Sequence, residues 1–285
     1  MAIVMWSSMA LLSAATQSLP PLELMSLTFC VAPLLLLVRA AGGKVNLSDL
    51  LRQPRGAWIA GVGTFFAYHF CYFLAVRKAP VVEASLINYL WPLCIVLFAS
   101  FVPGARPRWR PIMGGLLGLL GTYVLLMGGV FLAFGAHLWG DLAAAAAALI
   151  WATYSVFNRR YHTVPTDAVA LYCGSTAILA WIVHALVEPT IMPQGAQWLT
   201  ILALGLGPVG AAFYAWDYGI KRGNLRVLGT LSYATPLLST ILLVLSGRTS
   251  LTPSVFWSCL LVVAGGVLAA SGDADKTAEE IGAAR

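Results

Sequence analysis

Charged side chains are scarce. Lys, Arg, Asp and Glu make up 10% of the 285 residues, against about 25% in an average soluble domain. A water-soluble fold of this length could not cover its surface with so few. No G-x-x-x-x-G-K-[ST] occurs, which excludes an ATP motor within this chain. No H-E-x-x-H and no G-x-S-x-G is found, so the common hydrolase sites are missing. The five cysteines, Cys30, Cys71, Cys94, Cys173 and Cys259, form no C-x-x-C pair and all lie in apolar stretches. That speaks against disulfides and zinc and for small, apolar packing. No metal site or cofactor is implied. The acidic residues Glu23, Glu83, Asp141, Asp167, Glu188 and Asp217 all fall near the ends of apolar runs. No basic n-region or small-residue cleavage site accompanies the opening MAIVMW, so no cleavable signal peptide is visible. The chain starts almost inside its first apolar segment, as it would with a few upstream residues missing.

What is present is hydrophobic length. Apolar residues make up 60% of the chain and mean hydropathy is +0.83. Apolar runs repeatedly reach about 20 residues, the length that spans a bilayer as a helix. Polar and proline-rich breaks predict ten spans: 2–18, 22–39, 57–76, 81–102, 112–132, 139–158, 167–187, 197–220, 225–246 and 253–271. The fold class is therefore an all-α polytopic membrane protein. The charged segment 272–285 reads as a disordered cytoplasmic tail.

Basic residues set the orientation. With the N-terminus cytoplasmic, that side receives Arg39, Lys44, Arg52, Arg55, Arg106, Arg108, Arg110, Arg159, Arg160, Lys221, Arg222, Arg226, Lys276 and Arg285. The opposite side receives only Arg77, Lys78 and Arg248. The split is 14 against 3 of the 17 Lys and Arg residues, a strong positive-inside bias that places both termini in the cytoplasm of a cell whose inner (plasma) membrane holds the protein. The net charge of +6 thus reports orientation. No basic patch gathers on one surface, and no nucleic-acid partner is expected.

The chain also repeats itself. At a shift of 144 residues Gly61 meets Gly205, Gly63 meets Gly207, Ala67 meets Ala211, and Arg77-Lys78 meets Lys221-Arg222. Tyr89, Pro92 and Leu93 meet Tyr233, Pro236 and Leu237, and Gly121 meets Gly265. At a shift of 145, Trp6 meets Trp151 and Pro20 meets Pro165. Residues 1–134 and 135–271 therefore read as two five-helix repeats. Five is odd, so the second copy enters the membrane from the opposite side, the inverted-repeat plan of many secondary transporters.

Proline marks the expected gates. Pro92 and Pro236 hold equivalent places inside spans four and nine, with Pro33 and Pro208 in spans two and eight. Each removes a backbone donor, and in lipid the freed carbonyl needs a neighbour or a wet cavity. Paired broken helices in two inverted halves point to a cavity at the membrane midplane.

Ring side chains cluster at the same depth. Tyr68 and Tyr72 share one face of span three with His69 and Phe65 close by. Asn88, Tyr89 and Trp91 adjoin Pro92, and Trp151, Tyr154, Tyr214, Trp216 and Tyr233 supply matching groups from the second half. Trp58, Trp109, Trp139, Trp198 and Trp257 sit at span ends, where tryptophan anchors the interface. Buried tyrosine and indole groups need hydrogen-bond partners. A wet, ring-lined cavity would provide them and stack a flat substrate, whereas a packed interior would provide them from neighbouring helices. His69 and His184 are the only ionisable candidates at depth.

At these residues the chain resembles the drug/metabolite transporter superfamily, in its ten-helix form with two EamA-type repeats. The resemblance covers residues 1–271. It is carried by the Trp-Ser-Ser opening at 6–8 and its echo Trp-Ala-Thr at 151–153, by the proline-bearing fourth helix of each repeat, and by the glycine-rich fifth helices (GGLLGLLG at 114–121, AGG at 264–266). The stretch FAYHFCYFLAVRKAPVVEASLINYLWPL, 66–93, is most similar to exporters of aromatic amino acids of the YddG type. The resemblance implies a secondary transporter that exports amino acids, aromatic or hydrophobic, by alternating access through a central aromatic-lined cavity. Tyr68, His69, Tyr72, Asn88, Tyr89, Trp91, Trp151, Tyr154, His184, Tyr214 and Tyr233 are its candidate substrate-binding residues, with Pro92 and Pro236 as gates. Without a carboxylate at mid-membrane, downhill export is expected over proton antiport. The alternative is a broad efflux carrier for flat organic cations or other metabolites, held by cation–π attraction. An enzyme would need convergent catalytic groups, and His69, His184 and Asn88 are scattered. The expected partners are small-molecule substrate and lipid bilayer. Gly114-x-x-x-Gly118 leaves open a monomer or a weak homodimer.

Overall fold

Inside a bilayer no water satisfies the backbone, so an apolar chain of this composition must close its hydrogen bonds within helices. The computed structural model bears this out: among the described residues every regular element is helical. The structure describes all residues except 14, 44, 46, 103–108, 128–136, 248–249 and 284–285, together with the side chains of 10, 47 and 270–283. Lys44, Arg106, Arg108, Arg248 and Arg285 of the charge tally, the side chain of Lys276, and the 134/135 repeat boundary therefore lie outside the described residues.

Among the described residues eight helices are long and apolar enough to cross a membrane: α2 (Pro21–Ala41), α3 (Arg55–Lys78), α4 (Val81–Ala99), α5 (Trp109–Leu126), α6 (Leu138–Tyr161), α7 (Ala168–Val187), α8 (Gln197–Arg222) and α9 (Leu225–Leu245). Two shorter apolar helices stand where the first and tenth spans were expected, α1 (Ala2–Ser13) and α10, apolar over Pro253–Ala269. The helix of α10 runs over Pro253–Ala283. Its bounds take in 272–283, part of the segment that the sequence reads as a disordered tail. Leu37, Leu186, Leu199 and Val263 are more than half exposed on helix surfaces, which suits lipid rather than water.

Local signals start and stop these helices. Pro21 opens α2 at a position that needs no donor. Asn224 caps α9, its side-chain oxygen accepting from the backbone N–H of Arg226 at 3.0 Å and of Val227 at 3.3 Å. Gly43 follows α2 with φ +66° and Gly247 follows α9 with φ +71°, a backbone region that suits residues without a side chain.

In α4 and α9 the break falls where proline removes a donor, up to one turn ahead of the ring itself. Pro92 cannot donate to the Asn88 carbonyl. The chain opens at Tyr89–Leu90 and tightens, with Leu90 N–H bonding to Ile87 O at 3.0 Å. Pro236 does the same at Ser232–Tyr233, where Tyr233 N–H bonds to Thr230 O at 3.2 Å. α2 is interrupted at Ala32 and restarts at Pro33. In α8 the answer differs: Gly205–Ala211, with Pro208 inside, widens into a π-helical turn.

The chain forms two compact units, Met1–Phe73 with Phe157–Arg222, and Leu74–Val156 with Gly223–Arg285. Each unit draws on both sequence halves. In the first, the breaks of α2 and α8 pack on each other. A side chain at Gly205 would meet Thr28 O at 2.6 Å, and one at Gly210 would meet Leu35 at 2.9 Å. Trp6 of α1 donates its indole N–H to Pro208 O at 3.0 Å. In the second, Gly114 of α5 lies so close to α10 that a Cβ would sit 2.5 Å from Gly265 O, and Gly118 faces the Tyr233 ring. The small-residue motif read as a possible docking face is therefore occupied within the chain.

Candidate substrate-binding site

In the first unit α3, α2 and α8 bring rings together around His69. Its Nδ1 lies 2.7 Å from Phe65 O. A carbonyl can only accept, so this nitrogen carries the hydrogen and leaves Nε2 as an acceptor in the neutral ring. Phe29 stands edge-on to His69 at 5.0 Å, Phe213 lies 6.0 Å away, and Phe65 stacks on Phe213 at 4.7 Å. Tyr68 meets His69 edge-on at 4.9 Å and lies parallel to Tyr72 at 6.4 Å. Phe65 is buried while Tyr68, His69 and Tyr72 keep intermediate exposure. Trp6 adds contacts to Phe213 and to Trp216.

The ring of α8 that meets His69 is Phe213, one position before the expected Tyr214. Tyr214 instead carries a buried hydroxyl with no hydrogen-bond partner among the described residues. Phe29, Phe213 and Trp6, which join this ring cluster, are absent from the candidate residues that the sequence suggests. The repeat shifts could have found two of them, since 144 carries His69 onto Phe213 and 145 carries Trp6 onto Trp151.

His184 lies elsewhere. It occupies the last turn of α7, fully buried, with Nδ1 3.1 Å from Glu188 Oε2 and Nε2 3.0 Å from Thr190 Oγ1. Its ring neighbour is Trp181 at 5.3 Å. The depth expected for it reflects its apolar surroundings in sequence, but the helix ends only three residues later, at Val187. Asp217 likewise serves a buried network. It accepts from Asn158 Nδ2 at 2.9 Å, Thr166 Oγ1 at 2.8 Å and Lys221 Nζ at 2.8 Å, the last being the i,i+4 pair that the spacing allows.

In the second unit the NYLWPL stretch, 88–93, supplies Asn88 at the end of the first segment of α4, Tyr89 in the break and Trp91 beyond it. Trp91 meets Trp151 of α6 edge-on at 6.5 Å, and Trp151 meets Tyr154 at 5.8 Å. All three rings are buried. Gly229 of α9 sits beneath the Pro92 carbonyl, where a Cβ would come within 2.8 Å of the oxygen. The Tyr233 ring is fully buried against Gly118, in a cluster with Leu237, Val255 and Val262 that Tyr89 and Leu93 join. With His184 it is the most enclosed of the expected rings.

Chemically both ring sets offer π faces and edges, with the imidazole of His69 as a hydrogen-bonding group in the first. Among the described residues no group of three His, Cys, Asp or Glu side chains could hold a metal ion.

The EamA-like transporter family matches residues 1–127 and 138–271. The chain belongs to this family, within the drug/metabolite transporter superfamily. It is 47% identical, over 94% of each chain, to the aromatic amino acid exporter YddG of Ancylobacter novellus. It is 28% identical to the aromatic amino acid exporter YddG of Escherichia coli, over 94% of this chain and 93% of that one. A solved crystal structure at 47% identity covers 94% of this chain and 93% of its own, with a TM-score of 0.90.

Proposed function

We propose that this protein exports amino acids, aromatic and hydrophobic ones first, across the cell's inner membrane by alternating access. The observation that carries the reading is the pairing of ring groups with broken helices. In the first unit Phe29 precedes the α2 break by one turn and Phe213 follows the wide turn of α8. In the second, Tyr89 and Trp91 flank the α4 break. Relatives named as aromatic amino acid exporters support the substrate class. Within the first unit Tyr68, His69, Tyr72 and Tyr214 are proposed as substrate-binding residues. Within the second unit, taken by itself, Asn88, Tyr89, Trp91, Trp151, Tyr154 and Tyr233 are proposed. Pro92 and Pro236 act as hinges. His184 leaves this set, because both its ring nitrogens are engaged at a helix end. Radiolabelled phenylalanine loaded into liposomes with purified protein should leave chemically unchanged, and faster than from empty liposomes. Efflux should persist without an imposed proton gradient, since the partners of His69 are a carbonyl and rings. A strict need for that gradient, lost in His69→Ala, would show proton coupling instead.

The inverted repeat belongs to the same proposal. Gly61 of α3 admits the Tyr172 ring of α7, while Gly205 of α8 admits Thr28 and Val31 of α2. Under the 144 shift Gly61 maps onto Gly205 and Thr28 onto Tyr172. These contacts are one contact with the halves exchanged, as two oppositely inserted five-helix repeats require. Both termini then face the cytoplasm. A cysteine at exposed Gln194 should react with an impermeant maleimide added outside cells, and one at exposed Arg159 should not. The opposite labelling overturns the topology.

A further inference from the structure

Each of α2 and α7 begins with an acidic residue and ends with a basic one. Glu23 lies in the first turn of α2 and Arg39 in its last. Asp167 precedes α7 and His184 lies in its last turn. Both arrangements suit the helix dipole. The structure joins them crosswise. At one end Arg39 forks onto Asp167, Nε to Oδ1 at 2.6 Å and Nη2 to Oδ2 at 3.2 Å. At the other, His184 Nε2 lies 3.9 Å from Glu23 Oε2 while its Nδ1 meets Glu188 Oε2. The backbone is stitched there as well. Glu188 Oε2 accepts the Leu22 N–H that opens α2, at 3.1 Å, and Glu23 Oε2 accepts the Ile191 N–H beyond α7, at 2.9 Å. Midway, Gly174 admits Pro33, whose ring would lie 3.3 Å from an added Cβ.

The sequence shows these ends to be related. A shift of 144 carries Glu23 onto Asp167, and 145 carries Arg39 onto His184. The two clamps are one contact with the halves exchanged, and the Glu23–His184–Glu188 end is wholly buried. Buried, hydrogen-bonded polar groups hold one geometry and resist sliding, because separating them leaves donors and acceptors unpaired in apolar surroundings.

We propose that α2 and α7 form a strut locked at both ends, which keeps its spacing throughout the transport cycle while α4 and α9, broken ahead of Pro92 and Pro236, change shape. This rests on the exporter reading above. Full-length protein with its five native cysteines replaced by alanine, carrying Arg39→Cys and Asp167→Cys, is bridged in liposomes by a short reducible bis-methanethiosulfonate. Phenylalanine efflux of the bridged protein should stay within about twofold of the reduced form. Efflux that stops on bridging and returns on reduction overturns the strut. If the unsubstituted protein moves no phenylalanine, the exporter reading fails, and thermal unfolding reads the clamp by itself. Arg39→Glu should lower the midpoint, and adding Asp167→Arg should recover at least half of the loss. No recovery overturns the clamp.

Discussion

Asp217→Ala will lower the stability of the protein by about 3–5 kcal/mol. Three donors converge on this carboxylate, and the Lys221 ammonium that it neutralises is itself buried, with a second bond to Val164 O at 3.0 Å. Alanine strands that ammonium and leaves the Asn158 and Thr166 donors without their acceptor. The test is thermal unfolding of detergent-purified protein, where about 2–4 °C per kcal/mol implies a drop on the order of 10 °C. Asp217→Ala with Lys221→Met should recover much of the loss, because the stranded charge is then gone. A double variant no better than the single one would mean that the packing, not the charge, supports this corner.

The second large effect is on transport. Trp91→Ala would open a void in a buried ring pair, at about 3–5 kcal/mol, so a bulkier replacement is the cleaner probe. Trp91→Leu fills much of the space and removes the π surface. Ring stacking contributes about 0.5–1.5 kcal/mol beyond burial, so phenylalanine affinity should fall roughly two- to tenfold while leucine affinity changes little. Pro92→Ala acts otherwise. It returns an N–H to the Asn88 carbonyl and lets α4 run straight, so turnover should fall more than affinity. Equilibrium binding and initial efflux rates measured on both variants separate the two effects. Unchanged phenylalanine affinity in Trp91→Leu would make the Trp91–Trp151 contact plain helix packing.

The breaks show how far local chemistry reaches. Proline at 33, 92, 208 and 236 announces a lost donor wherever the helix runs. The form of each break was not legible. α8 widens into a π turn at Gly205–Ala211, whereas α4 and α9 tighten by one bond before their prolines. Three glycines and the Trp6 indole let α8 open, and the indole comes from a helix about 200 residues away in the chain. The site divides in the same way. That Tyr68 and Tyr72 share a helix face follows from spacing alone, and so does the Asp217–Lys221 pair.

The order of residues by itself determined that this is a helical membrane protein, where its long spans lie, and where proline interrupts them. Lipid leaves an apolar chain no other way to satisfy its backbone, so these properties are local in sequence. Tertiary structure alone decided which side chains meet. It put Phe213 rather than Tyr214 against His69, enclosed Tyr233 beneath Gly118, and drew His184 to Glu23 and Glu188 at a helix end. One residue along a helix turns a side chain by about 100°. The choice between neighbouring positions therefore depends on how each helix is rotated against partners distant in the chain, which no local pattern encodes.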